Sequence, residues 1–157
     1  MAPPDAYIGS VGTRVHFWSD SGRLEVDPEW EELLEEFWSE QVVKDAAYGQ
    51  ISAFPSQVSF RPKEELSKHK ITLNVEAAVL PRVEAGLRRQ IYGSGARAEL
   101  ISSGTGGWRY LDIVPANAGK LLSLQYVQEC FGFDDDCTVA CGDSGNDILM
   151  LSGTCYG

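Results

Sequence analysis

The run Thr138-Val139-Ala140-Cys141-Gly142-Asp143-Ser144-Gly145-Asn146-Asp147-Ile148-Leu149-Met150-Leu151 constrains this chain more than any other stretch. Thr138 to Ala140 favours extended backbone, Gly142 and Asp143 interrupt it, and Ile148 to Leu151 is an apolar helix-forming segment. The pattern reads as strand, polar turn and helix, with the carboxylates of Asp143 and Asp147 four residues apart at the strand's C-terminal end. Ligands of open α/β sheets gather at that end. Mg²⁺ takes hard oxygen ligands, which makes Asp143 or Asp147 a candidate to hold a cation beside a bound phosphate. The same residues also suit a plain polar turn that caps a helix, with Asp143 or Ser144 near the N-cap.

Composition narrows the class. At 157 residues with 43% hydrophobic residues and 16 glycines, the chain reads as one soluble globular domain or a small pair. No apolar run approaches the roughly 20 residues of a membrane helix. Met1-Ala2-Pro3-Pro4-Asp5 has neither the basic region nor the apolar stretch of a signal peptide, so a cytoplasmic location is expected. A net charge of -10 argues against a nucleic-acid partner, which would call for a basic face. Glu29, Glu31, Glu32, Glu35, Glu36 and Glu40 fall in one helical stretch and suit a solvated face. Cys130, Cys137, Cys141 and Cys155 show no zinc-like spacing and are expected to be reduced, partly buried thiols.

Taken in order, Tyr7 to Val11 reads as a buried strand and Arg14 to Trp18 as a second, ended by the turn Ser19-Asp20-Ser21-Gly22. His16 alternates with apolar neighbours and suits a structural place. Asp27-Pro28 opens a helix, Asp27 as N-cap and Pro28 at the first position. Its apolar stripe continues through Trp30, Leu33, Leu34, Phe37, Trp38 and Gln41. Val58 to Phe60 and Ile71 to Val75 alternate as strands. Val79, Val83, Leu87 and Ile91 mark a further helix, which tolerates Pro81 only in its first turn and ends at Gly93-Ser94-Gly95. Ala98 to Ile101 and Tyr110 to Val114 read as a hairpin across a glycine-rich turn that lacks P-loop order. Ala118-Gly119-Lys120 begins a helix with the stripe Leu121, Leu124, Val127 and Phe131.

Gly142-Asp143-Ser144-Gly145-Asn146-Asp147 resembles the fourth motif of the haloacid dehalogenase (HAD) phosphatases. Pro4 to Thr13, ending Ser10-Val11-Gly12-Thr13, and Leu111-Asp112-Ile113-Val114-Pro115 with Ala118-Gly119-Lys120 narrow the likeness. All three blocks resemble sucrose-phosphate phosphatase and the related C-terminal domain of sucrose-phosphate synthase, in the same order, across nearly the whole chain. The resemblance implies an α/β fold: a partial Rossmann-like HAD core sheet with an inserted α+β cap domain. Residues 1–13 would supply a core strand, 14–112 the cap and 113–157 a second, incomplete part of the core.

It also implies chemistry. In such phosphatases an aspartate attacks phosphorus, while Mg²⁺ and a lysine neutralise the crowded non-bridging oxygens. Carried over, Lys120 is the lysine, Asp143 a metal ligand, and Asp147 a supporter of the metal site or of Lys120. Ser144 and Asn146 would shape the loop, and the His69-Lys70 pair resembles a position in the cap where the Lys70 cation could meet a sugar hydroxyl or phosphate, an exposed strand-end lysine being the other reading. The substrate would be sucrose 6-phosphate or another sugar phosphate, and a glycosyltransferase domain or subunit would be the partner in the synthase alternative. The family's Asp-x-Asp nucleophile is not found. Asp5 precedes its strand and is followed two residues later by Tyr7, and Asp134-Asp135-Asp136 enters a strand where the nucleophile should leave one. About half a core sheet would leave edges that a full domain pairs, so the isolated chain is expected to be weakly stable, and without the nucleophile it is expected not to turn over.

Overall fold

A computed structural model describes residues 3–142 and 147–152 and divides the chain into two compact units. The first comprises Met1–Leu33 with Asn117–Gly157, the second Leu34–Ala116. The sequence expectation set these boundaries at residues 14 and 112, and the strands explain the difference at the N-terminal side. β1 (Ala6–Gly9) pairs antiparallel with β2 (Arg14–Trp18), and β2 with β3 (Leu24–Val26). This meander ties residues up to Val26 to the first strand, where a cap was expected to begin at Arg14. Val15 is fully buried in it.

The expected strand through Val11 stops at Gly9, because Ser10 (φ 51°) and Val11 (φ 61°) take left-handed backbone. α1 (Pro28–Leu34) follows, with Asp27 Oδ2 accepting from the Trp30 amide at 3.2 Å, the N-cap read from the sequence. The other long element of this unit is α4 (Lys120–Phe131), ended by Gly132 at φ 68°. Trp30 packs on Tyr126 of α4, ring centroids 4.9 Å apart. A short 3-10 turn (Asp135–Cys137) and α5 (Ile148–Leu151) complete the described part. Thr138 is extended, but the strand expected at Thr138 to Ala140 is reduced to a single bridge at Val139, whose side chain is 74% exposed.

The second unit is built in the order α2 (Glu40–Ala53), β4 (Val58–Phe60), β5 (Ile71–Glu76), α3 (Leu80–Gly93), β6 (Ala98–Ser103) and β7 (Trp108–Pro115). Its antiparallel sheet runs β4-β5-β7-β6. Strand alternation puts Ile71, Leu73 and Val75, with Leu111 and Ile113, on the face that packs against Val43, Ala47, Val83, Leu87 and Ile91 of the two helices. That cluster is one continuous core. Pro81 sits in the first turn of α3, as its missing N–H requires.

One helix of the sequence reading is two. The stripe from Trp30 to Gln41 breaks at residues 35–39, where Phe37 has φ 59°. The Phe37 carbonyl accepts from the Arg97 amide at 2.8 Å, and the Arg97 guanidinium lies 5.7 Å from the Phe37 ring centre. Ser39 then caps α2 by accepting from the Val42 amide at 3.4 Å. Tertiary contacts thus override the helical period.

Candidate active site

In the first unit a hollow of about 320 Å³ is lined by Gly9, Ser10, Val11, Gly12, Lys120, Cys141, Asp147 and Met150, among others. It brings together two of the residues singled out in the sequence. Lys120 Nζ donates to Asp147 Oδ1 at 2.5 Å. The Asp147 side chain is 6% exposed and that of Lys120 33%. Lys120 is the first residue of α4, where the helix dipole is positive and a cation loses about 0.3–1 kcal/mol. A buried carboxylate at its ammonium offsets that loss and gives the lysine a reason to sit there. Gly142 makes room for the aspartate: a Cβ on it would lie 2.5 Å from Asp147 Cβ.

The Ser10–Gly12 turn lines the same hollow. Two consecutive left-handed residues that are not glycine, one of them β-branched, cost about 1–2 kcal/mol each. The surroundings hold them. Ser10 O accepts from the Thr13 amide at 3.2 Å and from Thr13 Oγ1 at 2.9 Å, and Thr13 is buried. Gly12, at φ 85°, lies with its backbone against Gly119: a Cβ there would be 2.4 Å from the Gly119 carbonyl. Only glycine fits that approach.

Asp143, Ser144 and Asn146 lie outside the described residues. Among the described residues no cluster of three or more His, Cys, Asp or Glu forms a metal cage. Asp147 does fit a hard cation by type, as a buried oxygen donor whose Oδ1 already meets a lysine. A larger hollow, about 650 Å³, is lined mostly by apolar residues such as Ile8, Val127, Phe131 and Val139, and holds neither Lys120 nor Asp147.

Lys70 belongs to the second unit. Its Nζ is 3.8 Å from Asp112 Oδ1, which also accepts from Thr72 Oγ1 at 2.6 Å. Thr72 and Asp112 are register partners on β5 and β7, on the face turned away from the helices. Sequence reading missed this pairing, although a threonine between Ile71 and Leu73 facing an aspartate between Leu111 and Ile113 is its signal. Beside it, Glu35 Oε1 meets Lys68 Nζ at 2.5 Å and His69 Nε2 at 2.6 Å. The Lys68 contact chiefly, and His69 after it, hold the Glu35 carboxyl below its ordinary value against the opposing effect of burial. His69 is buried, and His16 is half-buried in β2 with its Nδ1 unpartnered. The expected partial burial of the thiols is not met: Cys130, Cys137 and Cys141 are free and exposed. Cys155 lies outside the described residues. No helix among the described residues is long and apolar enough to cross a membrane.

The architecture matches solved structures of the haloacid dehalogenase type. The sucrose-phosphatase of Synechocystis sp. PCC6803, solved with sucrose and phosphate, superposes with a TM-score of 0.79 at 24% identity, over 99% of this chain and 58% of that one. A haloacid dehalogenase-like hydrolase from Bacillus subtilis gives 0.57 at 18% identity, over 94% and 55%. The fold is HAD-like. In sequence, sucrose-phosphatase 1 of Nicotiana tabacum is 30% identical and a probable sucrose-phosphatase 2 of Arabidopsis thaliana 32%, each over 97% of this chain and 34% of the relative. The family model described as sucrose-6F-phosphate phosphohydrolase matches residues 1–157, and the chain belongs to that family. It spans about a third of the length of the curated relatives it matches.

Proposed function

We propose that this chain forms part of a phosphatase that hydrolyses a sugar phosphate, with sucrose 6-phosphate as the substrate its family membership favours. The observation that carries the reading is the Lys120–Asp147 pair, held at 2.5 Å in a hollow walled by the strained Ser10–Gly12 turn. Lys120 presents a cation to the phosphoryl oxygens, where charge crowds as the ester breaks. Asp147 fixes the ammonium in place and remains an oxygen donor. Mg²⁺, when bound, would add further neutralisation of those oxygens; Asp143 is its proposed ligand, with Asp147 in support. Ser144 and Asn146 would shape the phosphate loop. Lys70 would serve the sugar side, its ammonium oriented by Asp112. The second unit, Leu34–Ala116, is proposed as the cap.

The nucleophile is the missing part. Asp147 is the one aspartate among the described residues that lines the Lys120 hollow. Asp5 lines the larger hollow, and Asp134 spends its side chain on the Cys137 amide at 3.1 Å. The proposal is therefore that this chain alone binds phosphate but does not turn over substrate. Two measurements test it. Titration of the chain with orthophosphate should shift the Lys120 NMR signals, and Lys120→Ala should abolish the binding; an unresponsive Lys120 would refute the site. Sucrose 6-phosphate hydrolysis by the chain above the Lys120→Ala background would refute the missing nucleophile. Sequencing the transcript upstream of the Met1 codon then separates an enzyme, with a strand ending in Asp-x-Asp, from a binding domain without it.

A further inference from the structure

We infer that the Ser10–Thr13 turn is the positioning element for the Lys120–Asp147 pair and acts through Gly12 and Thr13. The inference rests on the reading of that pair as phosphate-site residues, but its geometry stands by itself. The turn is built against backbone preference, with Ser10 at φ 51° and Val11 at φ 61°. Such outliers persist only where the surroundings over-determine them. Here the surroundings are Thr13, 1% exposed, whose amide and hydroxyl both donate to Ser10 O.

The turn delivers Gly12 onto Gly119, close enough that a Cβ would stand 2.9 Å from the Gly119 Cα. Gly119, at φ 132°, is the N-cap of the 12-residue helix that begins with Lys120. From the helix side, the Gly119 carbonyl accepts from the Ser123 amide at 3.0 Å and from Ser123 Oγ at 2.8 Å. The peptide that launches Lys120 is thus clamped between a buried serine and a strained turn. Movement of the turn moves Gly119, and with it the origin of the lysine side chain. Left-handed residues suit a hairpin turn by themselves, but a β-branched valine does not, and a turn needed only to join β1 to β2 would have no use for contact with a helix 107 positions later in sequence, the difference between 119 and 12. Thr13 is accordingly a positioning residue: it does not line the Lys120 hollow, and it acts through the backbone.

The test is an NMR measurement of the Lys120 ammonium, whose hydrogen exchange should be slowed by its bond to Asp147. Thr13→Val keeps the shape and removes the hydroxyl, one of the two donors to Ser10 O. The ammonium should exchange about two- to tenfold faster, the factor that one lost hydrogen bond corresponds to, and Thr13→Ser should restore it. Orthophosphate titration should show the same two- to tenfold weakening in Thr13→Val. An unchanged Lys120 exchange rate in folded Thr13→Val overturns the inference, whatever happens to the melting temperature. Should that variant not fold, Gly119→Ala tests the link from the helix side, because its Cβ meets nothing within 4 Å and only the backbone at φ 132° is strained. Retention of the slow ammonium there would equally overturn it. A wild-type chain that shows the slow ammonium and its dependence on Thr13, yet ignores phosphate, would sink the phosphate reading and leave the positioning link standing.

Discussion

Substituting Gly12 by alanine combines two costs that the structure allows to be separated. Its φ of 85° costs an alanine about 1–2 kcal/mol. Its Cβ would also sit 2.4 Å from both the carbonyl carbon and oxygen of Gly119. These are backbone atoms at a helix start, unable to swing aside as a side-chain end would, so overpacking of about 1–3 kcal/mol applies. A less flexible unfolded chain returns about 0.4–1 kcal/mol. The sum is a loss of about 1–4.6 kcal/mol for Gly12→Ala. Gly22 is the control: its φ is 74°, and nothing lies within 4 Å of a Cβ there. Gly22→Ala should cost only the backbone part, about 0–1.6 kcal/mol. Both changes lie in the first unit, so urea titration should be followed by a reporter in that unit, the methyl signals of fully buried Val15. Equal losses for the two variants would show that the Gly12–Gly119 approach is not close-packed, and the positioning inference would fall with it.

Three further outcomes follow from the ionisable and buried polar groups. Glu35 has a lowered folded value, so its contribution is whole above its ordinary 4.5 and is lost as pH falls below it; Glu35→Gln should flatten the acid limb of melting temperature against pH and leave the neutral region nearly unchanged. An acid limb identical to wild type would show that the Glu35, Lys68 and His69 cluster contributes nothing. Tyr126 is pushed up, first by burial and then by donating its hydroxyl to Asp27. Its contribution is therefore whole below the ordinary 10.0 and fades as pH rises beyond it. Tyr126→Phe should cost about 1 kcal/mol at neutral pH and remove that alkaline decline in thermal melts; an unchanged decline would exclude Tyr126 as its source. Thr72→Val leaves the buried Asp112 carboxylate short of a donor and should lower stability by about 1–3 kcal/mol in denaturant titration. A loss under about 0.5 kcal/mol would mean that Lys70 or water takes up the freed oxygen.

The second unit was largely legible in the sequence because its signals are local and its core answers them. The alternation of Ile71, Leu73 and Val75 is the core face of β5, and the period of Val83, Leu87 and Ile91 is the buried stripe of α3. The break at Phe37 was not legible. Nothing between Trp30 and Gln41 forbids a continuous helix, and the contacts that end it come from Arg97, some sixty residues on. Ser39 was the available sign, a good N-cap two residues after the last turn of stripe that failed to continue. In the first unit the apolar stripe of α4 promised a buried face, yet Leu124 and Val127 are only half-covered and Phe131 is 43% exposed. Among the described residues, the buried apolar side chains of that unit are Val15, Trp30, Ala118 and Ala140. Periodicity states which face wants cover; it does not state that the cover is present.

The site divides in the same way. Lys120 and Asp147 stand 27 positions apart, and no spacing rule connects a helix start to a helix start at that distance. Resemblance to a family brought them together in the sequence reading, and the 2.5 Å contact gives the pairing a physical cause: a lysine placed against the helix dipole needs an anion. The Ser10–Val11 turn was the opposite case. Its residues stand out in the sequence as a block, but valine carries no local signal for left-handed backbone, and propensity argues against it. A position that violates local preference is held there by the rest of the fold, and such violations concentrate where geometry matters for function. Val11 at φ 61° lines the same hollow as the Lys120–Asp147 pair. What sequence reasoning could least foresee is therefore what most narrows the search for the residues that set the site.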